Sequence, residues 1–176
     1  IISYPDKIMV IHITASKAAS ISFNISISSK LRYGVTAASA NYLVLKGKAP
    51  KHVAHRATEP QQIVYEDKEG MTFEVHVQVK AEGGTTKATG NQITVTKANA
   101  VTIYLTDGTS FNGYNKSPGL DGKDPSIEAK IALVKAYAKP YSIIKTTHTA
   151  AYKKLFDRVS FQLEKNAELS KLPTNV

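Results

Sequence analysis

The 176-residue chain carries 23 Lys and Arg against 14 Asp and Glu, a formal net charge of +9, with 42% hydrophobic and 21% charged residues. Those proportions belong to one globular domain, or a domain with an appendage, and exclude a disordered polymer. The absence of cysteine excludes disulfide frameworks, thiol nucleophiles and thiolate-bound zinc, and no run approaches the ~18 apolar residues of a membrane span.

The chain begins Ile1-Ile2-Ser3-Tyr4, with no Met and no charged leader ahead of an apolar stretch. This reads as the tail of a strand and as a piece of a larger protein. Ile8 to Ile13 is apolar at nearly every position, the pattern of a strand covered on both faces. Ile21, Phe23, Ile25 and Ile27 alternate with Ser and Asn, and Met71, Phe73, Val75, Val77 and Val79 alternate with polar residues. Both predict strands with one wet face. Ile93 with Val95, and Val101 with Ile103 and Leu105, predict two more, and Glu82-Gly83-Gly84 and Gly90-Asn91 mark turns between them. The expected fold is mainly β, an antiparallel β-sandwich segment over residues 1–124.

Phe111 to Asp124 is a loop rich in Gly, Asn, Ser and Pro. Asp124-Pro125 is a helix start, with Asp as N-cap and Pro at the first helical position. Ile127, Ile131, Val134 and Ala138 then recur at helical spacing until Lys139-Pro140 stops the run. A second helix is predicted with Ile144, His148, Ala151, Tyr152 and Leu155 on its apolar stripe. Val159, Phe161 and Leu163 alternate, predicting a short strand, and the end around Leu172-Pro173-Thr174 reads as a linker.

Chemistry-bearing residues form no catalytic constellation in the sequence. His52 and His55 share a loop without the ligands of a tetrahedral metal set, so no metal is expected. His12 and His76 fall inside strands and read as packing or surface residues, and His148 falls on the second helix's stripe. Glu66, Asp67 and Glu69 sit in a turn, where nothing buries a carboxyl as a glycosidase acid requires. Asp121 and Asp124 lack the oxygen-rich spacing of a calcium loop. No nucleotide or nucleophile-elbow motif occurs, so neither a catalytic residue nor a cofactor is expected. The basic excess is divided between residues 1–124 and 125–176, and its longest run is Lys153-Lys154. No nucleic-acid partner is expected from so diffuse a charge.

Several strings occur in an informative order. Ser3-Tyr4-Pro5-Asp6, Ile13-Thr14-Ala15-Ser16-Lys17 and Gly47-Lys48-Ala49-Pro50-Lys51-His52-Val53 come first. Met71-Thr72-Phe73-Glu74-Val75, Val79-Lys80-Ala81-Glu82-Gly83-Gly84 and Thr109-Ser110-Phe111-Asn112-Gly113 follow. Last come Lys116-Ser117-Pro118-Gly119, Gly122-Lys123-Asp124-Pro125, and His148 with Tyr152-Lys153-Lys154-Leu155-Phe156-Asp157-Arg158-Val159. This succession resembles the N-terminal region of glycoside hydrolase family 95, the inverting α-L-fucosidase family. The resemblance implies a sandwich, a helical linker over residues 125–176, and an (α/α)6 barrel beyond them that carries catalysis, as an α-L-fucosidase on fucosylated glycans or as an α-L-galactosidase on the similarly configured L-galactose. It implies a structural, non-catalytic role for this segment, and a periplasmic or extracellular protein serving glycan breakdown. Thr109, Ser110, Phe111, Asn112 and Lys116 are then expected in a loop at the domain junction. His148, Tyr152, Leu155, Phe156 and Arg158 are expected to pack the linker, partly on the sandwich and partly on the barrel. A carbohydrate-binding sandwich module is the alternative function.

Overall fold

The computed structural model describes residues 1–161, 168 and 171–173. Eleven strands precede two helices: β1 (Ile2–Ser3), β2 (Ile8–Thr14), β3 (Ile21–Ser26), β4 (Arg32–Ser39), β5 (Tyr42–Lys48), β6 (His52–Val53), β7 (Ile63–Val64), β8 (Thr72–Glu82), β9 (Thr85–Thr89), β10 (Gln92–Ala98), β11 (Ala100–Thr109), α1 (Pro125–Tyr137) and α2 (Tyr141–Phe156). All the paired strands are antiparallel. A six-stranded sheet runs β1-β2-β11-β8-β5-β4, a three-stranded sheet runs β3-β10-β9, and β6 pairs with β7. The fold is mainly β, with the two helices following the strands in sequence.

The two larger sheets face each other over one core. Leu43, Val77, Val79, Val101 and Ile103 of the large sheet meet Ile21, Ile93, Val95 and Ala98 of the small one. The alternation along β3 and β8 aims these residues inward and leaves the intervening polar ones for the other face. Gly83 and Gly84 both take positive φ in the β8–β9 hairpin, the conformation a two-residue turn demands.

The large sheet has a second covered face. Ile8, Val10 and Tyr104 on it pack against Leu133 and Ala136 of α1 and Ile144 of α2. This third layer explains the near-continuous apolar run of β2, since successive residues point into different cores. Helix α1 starts as its sequence predicts, with Asp124 accepting a 2.8 Å hydrogen bond from the Ser126 amide. It lies close to the sheet because Gly108 leaves room for it. A Cβ there would collide with the Pro125 carbonyl oxygen. Thr106 donates a buried 3.0 Å hydrogen bond to the Ala129 carbonyl.

The inward face of α1 is not the apolar row that recurs at helical spacing in its sequence. Ser126, Ala129, Leu133 and Ala136 are buried, whereas Ile127, Ile131 and Val134 stand 50–68% exposed and Ala138 is exposed as well. Small side chains let the helix axis approach the sheet, so the tight contact selects the Ala-rich face over the more hydrophobic one. The predicted strand at 159–163 also does not form where it can be followed. Val159 and Phe161 are exposed and outside any strand, and Leu163 lies outside the described residues. Strands β4, β5 and β9, on which the sequence reading is silent, complete the sheets.

Candidate functional site

Three groups of side chains stand out once the layers are in place: a polar chain beneath α1, an anchor for the helix corner, and an uncovered face on both helices.

The polar chain runs along the helix side of β5 and β8, buried at Glu74 and His76 and open to solvent at Lys46. Tyr42 Oη lies 2.7 Å from His76 Nδ1, His76 Nε2 lies 3.2 Å from Glu74 Oε2, and Glu74 Oε1 pairs with Lys46 at 2.8 Å. Strand pairing assembles it, because Lys46 lies opposite Glu74 and Val44 opposite His76. His76 is wholly buried, and burial pushes its imidazole below the ordinary value despite the opposing pull of Glu74. Burial also raises the Tyr42 phenol, with Glu74 adding to it, while the hydrogen bond to Glu74 raises Lys46. In the neutral tautomer that keeps its proton on Nε2, toward the Glu74 carboxylate, Nδ1 accepts from the Tyr42 hydroxyl. The contact between Nε2 and Glu74 Oε2 is close but poorly aligned, and neither atom has another hydrogen-bond partner among the described residues. The chain's interior position suits an electrostatic lock within the fold, since a reacting sugar has no room at His76. The sequence hides this cluster. Glu74 and His76 occupy polar positions of an alternating strand, and only the docking of α1 buries them.

The anchor is Asp6, whose side chain is 4% exposed. It accepts hydrogen bonds from Ser3 Oγ at 2.7 Å and from Lys139 Nζ at 2.5 Å. Burial pushes its carboxyl up, yet the bonds from Lys139 and Ser3 outweigh this and leave it below the usual range. Asp6 thereby ties the α1–α2 corner to the β1–β2 turn.

The predicted linker residues line α2. Ile144 is buried against the sheet and His148 is half-buried. Tyr152, Leu155 and Phe156 stand 54–65% exposed. The rings of Tyr152 and Phe156 stack 5.2 Å apart, and Arg158 is exposed just past the helix. Of the predicted junction loop, Ser110 is buried, accepting from the Thr72 amide at 3.0 Å and donating to the Pro118 carbonyl at 2.8 Å. Asn112 donates to the Asp121 carbonyl at 2.9 Å. Thr109 ends β11, Phe111 is exposed, and Lys116 is exposed with its amide bonded to Gly113. Backbone-directed bonds of this kind shape a loop.

The histidine pair in the β6 region meets a carboxylate. Glu59 Oε2 lies 3.2 Å from His52 Nε2, and Glu59 Oε1 accepts from the amides of His55 and Arg56. Glu59 therefore folds the loop on itself, and no group of three metal-ligating side chains converges among the described residues. Glu66 pairs with Lys51 at 2.9 Å on the surface.

Comparison with known proteins places this architecture. Residues 1–114 match the model of the glycosyl hydrolase family 65, N-terminal domain, and the chain belongs to that family. It is 32% identical over 171 residues to alpha-L-fucosidase 2 of Arabidopsis thaliana, an alignment that covers 92% of this chain and 20% of that protein. The chain thus spans about a fifth of the length of this curated relative.

Proposed function

We propose that this chain is the non-catalytic sandwich and linker segment of an α-L-fucosidase-type glycoside hydrolase of family 95, and that the outer faces of α1 and α2 seat the (α/α)6 catalytic barrel. The observation that carries the reading is the pair of uncovered apolar rows, Ile127, Ile131 and Val134 on α1 with Tyr152, Leu155 and Phe156 on α2. Helix α1 is apolar on both sides, and a helix of that kind belongs between two surfaces. The sheet covers one side, and the other matches what a packed neighbouring domain requires. The similarity to an α-L-fucosidase and the small share of it that aligns support the same reading. The substrate of the whole protein is then a fucosylated glycan. The junction loop from Thr109 to Lys116 would lie beside the helices as part of the seat. On the strength of the family resemblance, the reading also puts the protein in the periplasm or outside the cell, in carbohydrate degradation.

The test compares this chain with the full-length protein that contains it. An aryl α-L-fucoside and 2′-fucosyllactose should be hydrolysed by the full-length protein and only at background by residues 1–176. Ile131→Asp or Phe156→Asp should lower full-length activity or its melting temperature while leaving the isolated chain folded. Turnover by the isolated chain that survives purification and disappears on replacing one of its own carboxylates would overturn the proposal. So would full-length variants indistinguishable from wild type.

A further inference from the structure

The corner between α1 and α2 roofs a cleft of about 410 Å3 over the helix-side face of the large sheet, within the range typical of small-molecule sites. Its floor is a row fixed by register. His12 of β2 lies opposite Thr102 of β11, which lies opposite Lys80 of β8. Glu82 follows Lys80 on the same face of β8, and Tyr141 and Ser142 close the roof. The Tyr141 ring stacks on His12 with centroids 4.2 Å apart and planes 17° apart. His12 is held in turn by a 2.9 Å hydrogen bond between its Nδ1 and Thr102 Oγ1. The cleft therefore has a rigid aromatic wall, since both rings are fixed by the sheet and by each other.

Of the charged groups on its lining, Lys139 is committed to Asp6, which leaves Lys80 and Glu82 to meet a ligand. Among the described residues neither Lys80 nor Glu82 takes part in an ion pair. Lys80 contacts the Tyr137 ring at 5.2 Å. An anion in the cleft would meet Glu82 and a cation would meet Lys80. A neutral ligand with adjacent hydroxyls satisfies both, accepting from the ammonium and donating to the carboxylate, while its C–H face lies against the aromatic wall. We propose that this cleft is a saccharide-binding site that takes a neutral mono- or disaccharide unit through Lys80, Glu82 and the Tyr141–His12 wall. The choice of a sugar among neutral polyols rests on the glycoside-hydrolase reading above.

The test is an NMR titration of the 176-residue chain with L-fucose, D-galactose and 2′-fucosyllactose, with glycerol and inorganic phosphate as controls. Saturable shifts are expected at the His12 and Tyr141 rings with at least one sugar and with neither control. Lys80→Met and Glu82→Gln remove exposed groups without touching a core, and each should weaken binding about tenfold or more. Tyr141→Ala should abolish binding, with Tyr141→Phe retaining it as the check that α2 still docks. The proposal falls if no sugar at tens of millimolar shifts these rings, if binding survives Lys80→Met and Glu82→Gln unchanged, or if phosphate binds as well as sugar. Binding by glycerol alone would retain a polyol cleft and overturn the saccharide assignment. None of these outcomes bears on the barrel-seating test, which reads hydrolysis by the full-length protein.

Discussion

Helices α1 and α2 stand in the same layer and are held in different ways. Helix α1 lies along the large sheet and buries small residues down its length, with Ala129 and Ala136 each 1% exposed. Helix α2 enters the core beneath the helices near its start, through Tyr141 and Ile144, and its C-terminal half carries large apolar side chains in the open. The first helix is part of this domain's core, while the second is docked by its first turn and the Asp6–Lys139 pair beside it. The difference shows that apolar content does not decide which helix face goes inward. Fit to the opposing surface does. Gly108 and the Thr106 bond to Ala129 favour the Ala face of α1, and the larger Ile127–Ile131–Val134 row faces out.

The contrast makes graded predictions. The largest effects should come from Leu133→Ala on α1 and Ile144→Ala on α2, each expected to cost about 2–5 kcal/mol by chemical denaturation. Equal losses would show that the first turn of α2 is as integral as α1, and a negligible Ile144→Ala effect would mean α2 is undocked. Asp6→Ala leaves Lys139 without its buried partner and should cost about 1.5–3 kcal/mol. Hydrogen exchange should then accelerate at the start of α2 more than in α1. Ala129→Leu would push α1 off the sheet and should cost about 1–3 kcal/mol through overpacking, whereas a neutral result would refute the close approach.

A smaller effect reports how well α1 seals the sheet. The His76 imidazole is held below its ordinary value of 6.5, so between the folded and unfolded values the unfolded chain binds the extra proton. The contribution is fully present above about pH 6.5 and is lost as the pH falls through the lowered folded value. Glu74, Lys46, Tyr42 and, from α1, Lys130 surround this group. The melting temperature should decline between pH 7 and 5, and His76→Gln should flatten that slope. An unchanged slope would mean that another group sets the acid limb. The smallest effects belong to Leu155→Ala and Phe156→Ala, which should fall within about 0.5 kcal/mol in this chain because both side chains are exposed. A loss as large as that of Ile144→Ala would show that the end of α2 packs on this domain, and would remove it from the proposed barrel seat.

Much of the fold was legible in local patterns. The alternation of β3 and β8 marked their inward faces, Asp124-Pro125 marked the start of α1, and Pro140 marked its break. Each of these signals acts within a few residues, through pleat, cap or missing amide. The resemblance was legible from strings spread over the chain, and what it implied about a glycoside-hydrolase N-terminal domain agrees with the family match. Strand β4 escaped notice because Gly34, Ala37 and Ala38 give an edge strand little apolar alternation. Strand β5 escaped it because Leu43, Val44 and Leu45 are buried on both faces of the sheet and so show no period.

The sequence by itself determined where the chain turns, caps and alternates, because those choices are made by neighbouring residues. Only the tertiary structure decided which face of α1 is core, that Glu74 and His76 are interior, and that His12 and Tyr141 stack to wall a cleft. Those outcomes depend on strand register and layer spacing, which bring residues 34 apart, such as Tyr42 and His76, or 90 apart, such as His12 and Thr102, within hydrogen-bond reach. No local period encodes that distance. Burial is a property of the surface opposite, and a side chain's own hydrophobicity cannot specify what that surface will be.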